Sequence, residues 1–506
     1  MAERRDAAGD TLDSLVPDRL RAGLRRRIGI DVRALAAFRI ALGVVLLVDL
    51  ALRARNLTAF YTDAGVLPRP LLAESYPLAR FSLYALSGDA RAVGLLFLAA
   101  GLAAVALAVG YRTRAAAAVS LLLLASLQAR NPFVLNAGDT LLWQVLGAGL
   151  LCPLGARWSV DAVRGRAGVR ERPPPENGRF VGPASALLLA VVLAVYVSNA
   201  VVKLRGEAWP AGEAVETVFR LTYLHGPLGG LMPENSALLA AATYGWLALL
   251  VASPLLVAAA GRVRAALAGI LVVAHLSMAL ALQIGVFSVA SATALLPFLP
   301  PFVWDRIELS AAPAIGRSRS AVEGLFESLG RISTAADPLS GIAPDRAIRN
   351  RILAAVAALL LVSLLAWTAM GLGVVGAPEP VAAVSDPAES DWDMFAPRPP
   401  STDSLVLATA TTADGDRIDA LYGDPVAVDR PPSDARGYPT ARWRKHFSLL
   451  PVDDPDRVDA TLAHLCDRAA GFSGAETESV TVSSVAVDVS GSDEVRVREI
   501  GTRKCR

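Results

Sequence analysis

The sequence predicts a polytopic α-helical membrane bundle followed by a small β-rich extracytoplasmic domain. Three observations predict it. Hydrophobic residues make up 54% of the 506 and charged residues 19%, with a mean hydropathy of +0.45, too apolar for an ordinary soluble chain. About nine stretches approach the roughly 20 apolar residues that a helix needs to cross a bilayer. After residue 375 the composition shifts to Asp, Ser, Thr, Pro and Val, and apolar residues alternate with polar ones as in strands.

Taken in order, the chain opens on a tail carrying Arg4, Arg5, Arg19, Arg21, Arg25, Arg26 and Arg27. It has no apolar core followed by a small-residue cleavage site, so it reads as a cytoplasmic tail and not a signal peptide. The expected spans are 34–53, 92–110, 115–130, 139–156, 183–204, 237–260, 265–283, 285–303 and 352–375. Gln283, Ile284 and Gly285 leave room for only a very tight turn, or a re-entrant element, between the seventh and the eighth.

Arginine placement orients the bundle. The tail, the turn with Arg112 and Arg114, the loop 157–179, the turn with Arg262 and Arg264, and the segment 306–351 share one side, which the positive-inside rule makes cytoplasmic. Segments 54–91, 131–138 and 205–236 then lie outside, as does everything after residue 375. The stretch RERPPPENGR at 170–179 and the segment 305–350 read as solvated connections. Within the second, SAVEGLFESLG is expected to form a short amphipathic helix on the inner surface.

The division that follows is a helical membrane domain over 1–375 and a β-rich domain over 376–506. In the latter, SLVLATATTADGDRIDALYG reads as a hairpin turning at Asp414-Gly415. A helix starts near Asp453 or Asp454, and SVTVSSVAVDV and EVRVREI give two more strands.

A net charge of +2 leaves no nucleic-acid footprint. The three cysteines, Cys152, Cys466 and Cys505, fit no CxxC or zinc-ligand spacing; Cys466 and Cys505 could pair if their segment lies outside the cytoplasm. The four histidines show no HExxH or His-x-His spacing, and no GxSxG elbow or phosphate-binding glycine loop is present, so metal, nucleotide and serine-hydrolase chemistry have no support. His225, His446 and His464 read as loop or surface residues.

Two ionisable residues stand out. Arginine supplies nearly all the basic charge, and the only lysines are Lys203, Lys445 and Lys504. Lys203 closes the fifth span within YVSNAVVKLRGEAWPAGEAV. A desolvated amine can lose its proton whereas a guanidinium cannot, so Lys203 is either a functional amine or an interfacial anchor snorkelling to the headgroups. His275 lies in the seventh span, where it is either functional or a neutral imidazole tied to a neighbouring helix. Arg39 and Asp49 in the first span and Asp139 opening the fourth read equally as polar ties; Arg39 and Asp49 are about three helical turns apart and need partners elsewhere.

Together these residues resemble the vitamin K-dependent γ-glutamyl carboxylases and their microbial relatives, the HTTM membrane family. The pieces occur in order: LAAFRIALGVVLLVDL, FYTDAGVLPR, Gly110-Tyr111-Arg112, Trp158-Ser159-Val160-Asp161, Lys203-Leu204 through Trp209, His275-Leu276 with Ile284-Gly285 and Phe287, and Trp392-Asp393-Met394. The resemblance implies that Lys203 is the base that deprotonates reduced vitamin K or menaquinone, with His275 assisting. It further implies O2 and CO2 as co-substrates, a glutamate-containing peptide or protein as acceptor, and Asn136, Asp139, Trp209 and Arg39 as cofactor-binding candidates. Where the animal carboxylases have a histidine after paired asparagines, this chain has NPFVLNAGD at 131–139, and its outer domain is shorter than theirs. The competing expectation is a non-enzymatic quinone-binding or partner-binding scaffold in the bilayer.

Overall fold

The computed structural model describes residues 18–164, 178–310, 346–382, 385–387, 392–426, 437–450, 454–474, 476–492 and 494–505. The expected amphipathic helix at 320–330 and most of the loop at 170–179 lie outside them. The principal helices are α1 (Asp18–Ile28), α2 (Val32–Ala54), α3 (Ala90–Val109), α4 (Thr113–Arg130), α5 (Ala137–Leu150), α6 (Pro183–Arg205), α7 (Ser236–Val251), α8 (Gly261–Ala281), α9 (Phe287–Leu295) and α10 (Arg346–Gly371). Helix occupies part of each of the nine expected stretches.

Among the described residues, five helices are long and apolar enough to cross a membrane: α2, α3, α6, α8 and α10. A sixth is a broken element, the segments 287–298 and 301–310 meeting at 104° around Pro300 and Pro301. The other three fall short for visible reasons. α5 and α7 have only 14 and 16 residues, and α4 carries Arg114, Gln128 and Arg130 along its 18. Leu95, Leu98 and Leu102 of α3 and Leu359, Val362 and Leu365 of α10 point away from the protein. So much outward apolar surface is incompatible with water and suits lipid.

Two ends of the bundle can be told apart. The short strands β1 (Ile30–Asp31) and β2 (Arg179–Phe180) pair Ile30 with Phe180 and so hold the starts of α2 and α6 together. Both helices therefore run the same way. Asp31 caps α2 through the Arg33 amide at 2.8 Å, and Gly110, in the left-handed region with φ +72°, ends α3 at this same end. The Gly110 carbonyl accepts from the Asp161 amide, which places the 157–161 turn here too.

At the opposite end stands a four-stranded antiparallel sheet in the order β4-β3-β5-β6, formed by β3 (Thr402–Thr412), β4 (Arg417–Asp419), β5 (Thr477–Asp488) and β6 (Val495–Lys504). Helix α12 (Pro455–Ser473), capped by Asp454, packs against it, and a Cys466–Cys505 disulfide ties that helix to the end of β6. A shorter helix, α11 (Ala441–Ser448), points into the bundle. Its Trp443 is fully buried beside Phe60, so sheet, α12 and the loop after α2 share one apolar core. His446 and His464, expected at the surface, are buried in this core: His446 Nε2 lies 3.0 Å from Thr461 Oγ1, and His464 Nδ1 donates to Ala64 O at 2.9 Å.

Candidate functional site

Along α6, Tyr196, Asn199 and Lys203 stand at i, i+3 and i+7. That spacing places them in one row on one face, the ends about 10 Å apart at 1.5 Å per residue. All three are buried, Lys203 to 2% exposure. An interfacial anchor keeps its ammonium in the headgroups; here the amine is enclosed by protein.

What encloses it is a strap, residues 392–398, that crosses the end of α6 on its way to β3. Asn199 Nδ2 donates to Trp392 O at 2.6 Å, Lys203 Nζ to Met394 O at 2.5 Å, and Trp209 Nε1 to Phe395 O at 2.7 Å. The indole of Trp209 closes the other side, its ring centre 4.1 Å from Lys203 Nζ. Gly206 explains how the strap comes so close, because a Cβ there would collide with the Pro397 carbonyl. Phe395 takes a left-handed φ of +57° to make the turn. Asp393 is near enough to act on the ammonium through space. No ion pair involves Lys203 among the described residues, so its partners are a carbonyl and an aromatic face.

His275 projects from α8 toward the same row. Its Nε2 lies 2.8 Å from the Tyr196 hydroxyl, and the rings of Trp246 from α7 and Phe287 from α9 meet it edge-on at 5.5 and 5.8 Å. Its Nδ1 is buried without a hydrogen-bond partner among the described residues. The arrangement is an imidazole in an aromatic box, linked through one phenol to the helix that carries the amine.

The remaining sequence candidates divide. Trp209 is brought to Lys203. Asn136 and Asp139 form the capping box of α5, the Asn136 amide donating to Asp139 at 2.8 Å. Asp139 belongs to a buried cluster with Asp49 and Arg53 of α2 and Arg442 of α11. Arg53 reaches Asp49 at 2.7 Å and also pairs with Asp139; Arg442 reaches Asp49 at 2.7 Å and Asp139 at 3.2 Å. Arg53 also donates to Tyr61 at 2.9 Å. Two cations thus neutralise two carboxylates, with burial that would be prohibitive for an unmatched charge. Arg39 lies at the other end of the bundle, donating to Trp158 O at 2.5 Å.

Sequence reasoning passed over Tyr196, Asn199, Arg53 and Arg442. The first two were findable as polar residues in helical register with Lys203, and Arg53 as the i+4 partner of Asp49. Arg442, 393 residues from Asp49, carries no local signal.

The fold and site define a helical membrane protein with a protein-enclosed amine and an imidazole on two helices linked through Tyr196, beneath a strap at the sheet end of the bundle. The HTTM domain model matches residues 28–304, more than half of the chain, and the chain belongs to that family. The HTTM domain is found in vitamin K-dependent carboxylase-like proteins. No curated protein and no solved structure matches the chain.

Proposed function

We propose that this chain is a quinol-dependent, carboxylase-like membrane enzyme in which Lys203 is the base. The observation that carries the reading is the environment of the amine: buried, out of reach of any ion pair among the described residues, and in one row with the Tyr196–His275 pair. No carboxylate among the described residues is in ion-pair contact with Lys203, and Asp393 acts on it only through space, so the amine can exchange a proton with a substrate hydroxyl while Met394 O and the Trp209 face receive the charge it gains.

The residues fit an aromatic, hydrogen-bonding ligand. Trp246, Phe287 and Tyr196 supply aromatic rings around His275, and its buried Nδ1 has no hydrogen-bond partner among the described residues. Reduced vitamin K or menaquinone, when bound, would supply with O2 the strong base needed to remove a γ-proton from a glutamate before CO2 adds. Tyr196 and His275 would orient its oxygen, and the strap would exclude water.

In this reading the helices make nine crossings over 1–375, and the domain 376–506 lies outside the cytoplasm, presenting a glutamate-containing peptide or protein. The sparser arginines of the loops 54–91, 131–138 and 205–236 and the Cys466–Cys505 bond support the orientation. The test is quinol consumption with epoxide formation by purified protein, beside Lys203→Arg, which keeps the charge but cannot act as a base. Product from wild type and none from the variant is expected. Equal turnover by both would remove Lys203 from the mechanism, and none from either would leave a quinone-binding or partner-binding scaffold.

A further inference from the structure

At the end of the bundle opposite the sheet, a cavity of about 210 Å³ lies between the start of α8, the β1–β2 pair and the bend at 297–302. Three arginines line it: Arg26, Arg179 and Arg264. Arg264 is 4% exposed. One of its nitrogens, Nη1, donates to Arg27 O at 3.0 Å, and its guanidinium lies 5.4 Å from the Phe298 ring centre; its Nε and Nη2 have no hydrogen-bond partner among the described residues. Arg179 uses Nη2 on Arg26 O and Gly29 O, at 2.9 and 2.8 Å, and leaves its buried Nε unspent. The acid in the wall, Asp31, is already engaged by Arg33 at 2.9 Å. Among the described residues, the cavity therefore holds positive charge and buried N–H donors with no free anion to receive them.

Two further features favour an anion there. Ala260 and Gly261 in the wall begin α8, a 21-residue helix whose first turn has no side-chain cap, so the positive end of its dipole faces the space. The other side is apolar, with Pro297, Phe298 and Phe302. Guanidinium groups pair with phosphate oxygens through parallel, charge-assisted bonds, and basic pockets between membrane helices are suited to lipid head groups.

We infer that this cavity is a phosphate-binding site whose occupant is the head group of an anionic phospholipid, held by Arg264 and Arg179 with its glycerol end against the apolar wall. The site is at the far end of the bundle from Lys203 and does not depend on the catalytic reading.

The experiment uses the full chain in nanodiscs of phosphatidylcholine alone, phosphatidylcholine with phosphatidylglycerol, or phosphatidylcholine with added inorganic phosphate. Native mass spectrometry reads retained lipid, and thermal melting reads stabilisation. Wild type should retain phosphatidylglycerol and melt higher in its presence. Arg264→Gln and Arg179→Gln should each weaken retention by about tenfold, the loss of one charge-assisted bond, and Arg264→Lys should recover part of it. Stabilisation by inorganic phosphate alone, lost in both glutamine variants, would support the site with free phosphate as the occupant. Equal retention and melting in wild type and both glutamine variants would overturn the proposal. If Arg264→Gln does not fold, Arg179→Gln decides.

Discussion

Replacing Arg442 by methionine keeps most of the side-chain volume and deletes one of two cations from the buried cluster. Asp49 would retain Arg53 on one oxygen, at 2.7 Å, and Asp139 would retain Arg53 and the Asn136 amide, but two carboxylates would then share one guanidinium. With side-chain exposures of 1% and 2% for the two acids, water cannot take up the difference. Breaking a buried pair from one side costs about 3–5 kcal/mol, a hundredfold to several-thousandfold in an opening equilibrium. The predicted consequence is local. Hydrogen exchange at residues 441–448 and across β3 should accelerate by about that factor, while α3 and α4 remain protected. Asp49→Asn combined with Arg442→Met restores neutrality and should recover at least half of the lost protection. Less than a tenfold change in the single variant, or no recovery in the double, would refute the view that these charges bolt the sheet to the bundle.

Three other outcomes follow from the geometry. Gly206→Ala should push the strap off the end of α6 and reduce turnover as far as Lys203→Arg does, with thermal stability little changed, measurable by the epoxide assay and melting together. Burial, with Arg457 and His464 beside it, pushes the His446 imidazole down to about 3, so between about pH 3 and 6.5 the unfolded chain binds a proton there that the folded chain does not. Stability should therefore fall on acidification through that window, by up to about 1.4 kcal/mol per pH unit from this group, and His446→Gln should flatten the melting-against-pH curve. Cys466 and Cys505 close a loop with a sequence separation of 39, and chain entropy puts the cost of Cys466→Ser at about 4 kcal/mol, read as a lower denaturation midpoint for the sheet.

Much of this architecture was legible because it is written in side-chain chemistry. Apolar runs in 34–53, 92–110 and 183–204 dictate helices wherever they sit, and the alternation in SVTVSSVAVDV dictates a strand. A chain that uses arginine almost throughout and then places Lys203 at the end of an apolar span marks that residue from the sequence alone. The family resemblance marks Asn136 and Asp139 as cofactor-binding candidates, while Asp139 reads equally as a polar tie; the structure places the two in a helix cap and Asp139 in a charge cluster. The cluster itself was half visible. Asp49 needed a partner and Arg53 stood one turn away, but the second cation comes from a short helix whose pattern says only that one side is buried. Burial of His446 and His464 was hidden for the same reason, since polar neighbours in sequence need not be neighbours in space.

The strap's three contacts with α6 and Trp209 end on the carbonyls of Trp392, Met394 and Phe395, not on their side chains. A carbonyl survives every ordinary substitution. An alanine scan across 392–395 would therefore report only on side-chain packing, that of Trp392 and Met394 against the bundle core and of Phe395 against a cluster that includes Leu282, and not on the carbonyl that partners Lys203. The path of the strap, as well as its composition, is what the amine depends on. Its genetically visible handles are the residues that set the path: Gly206, which lets the chain pass, and Trp209, which holds it from the other side. To test the carbonyl at 394 directly requires altering the backbone itself, as by an amide-to-ester replacement.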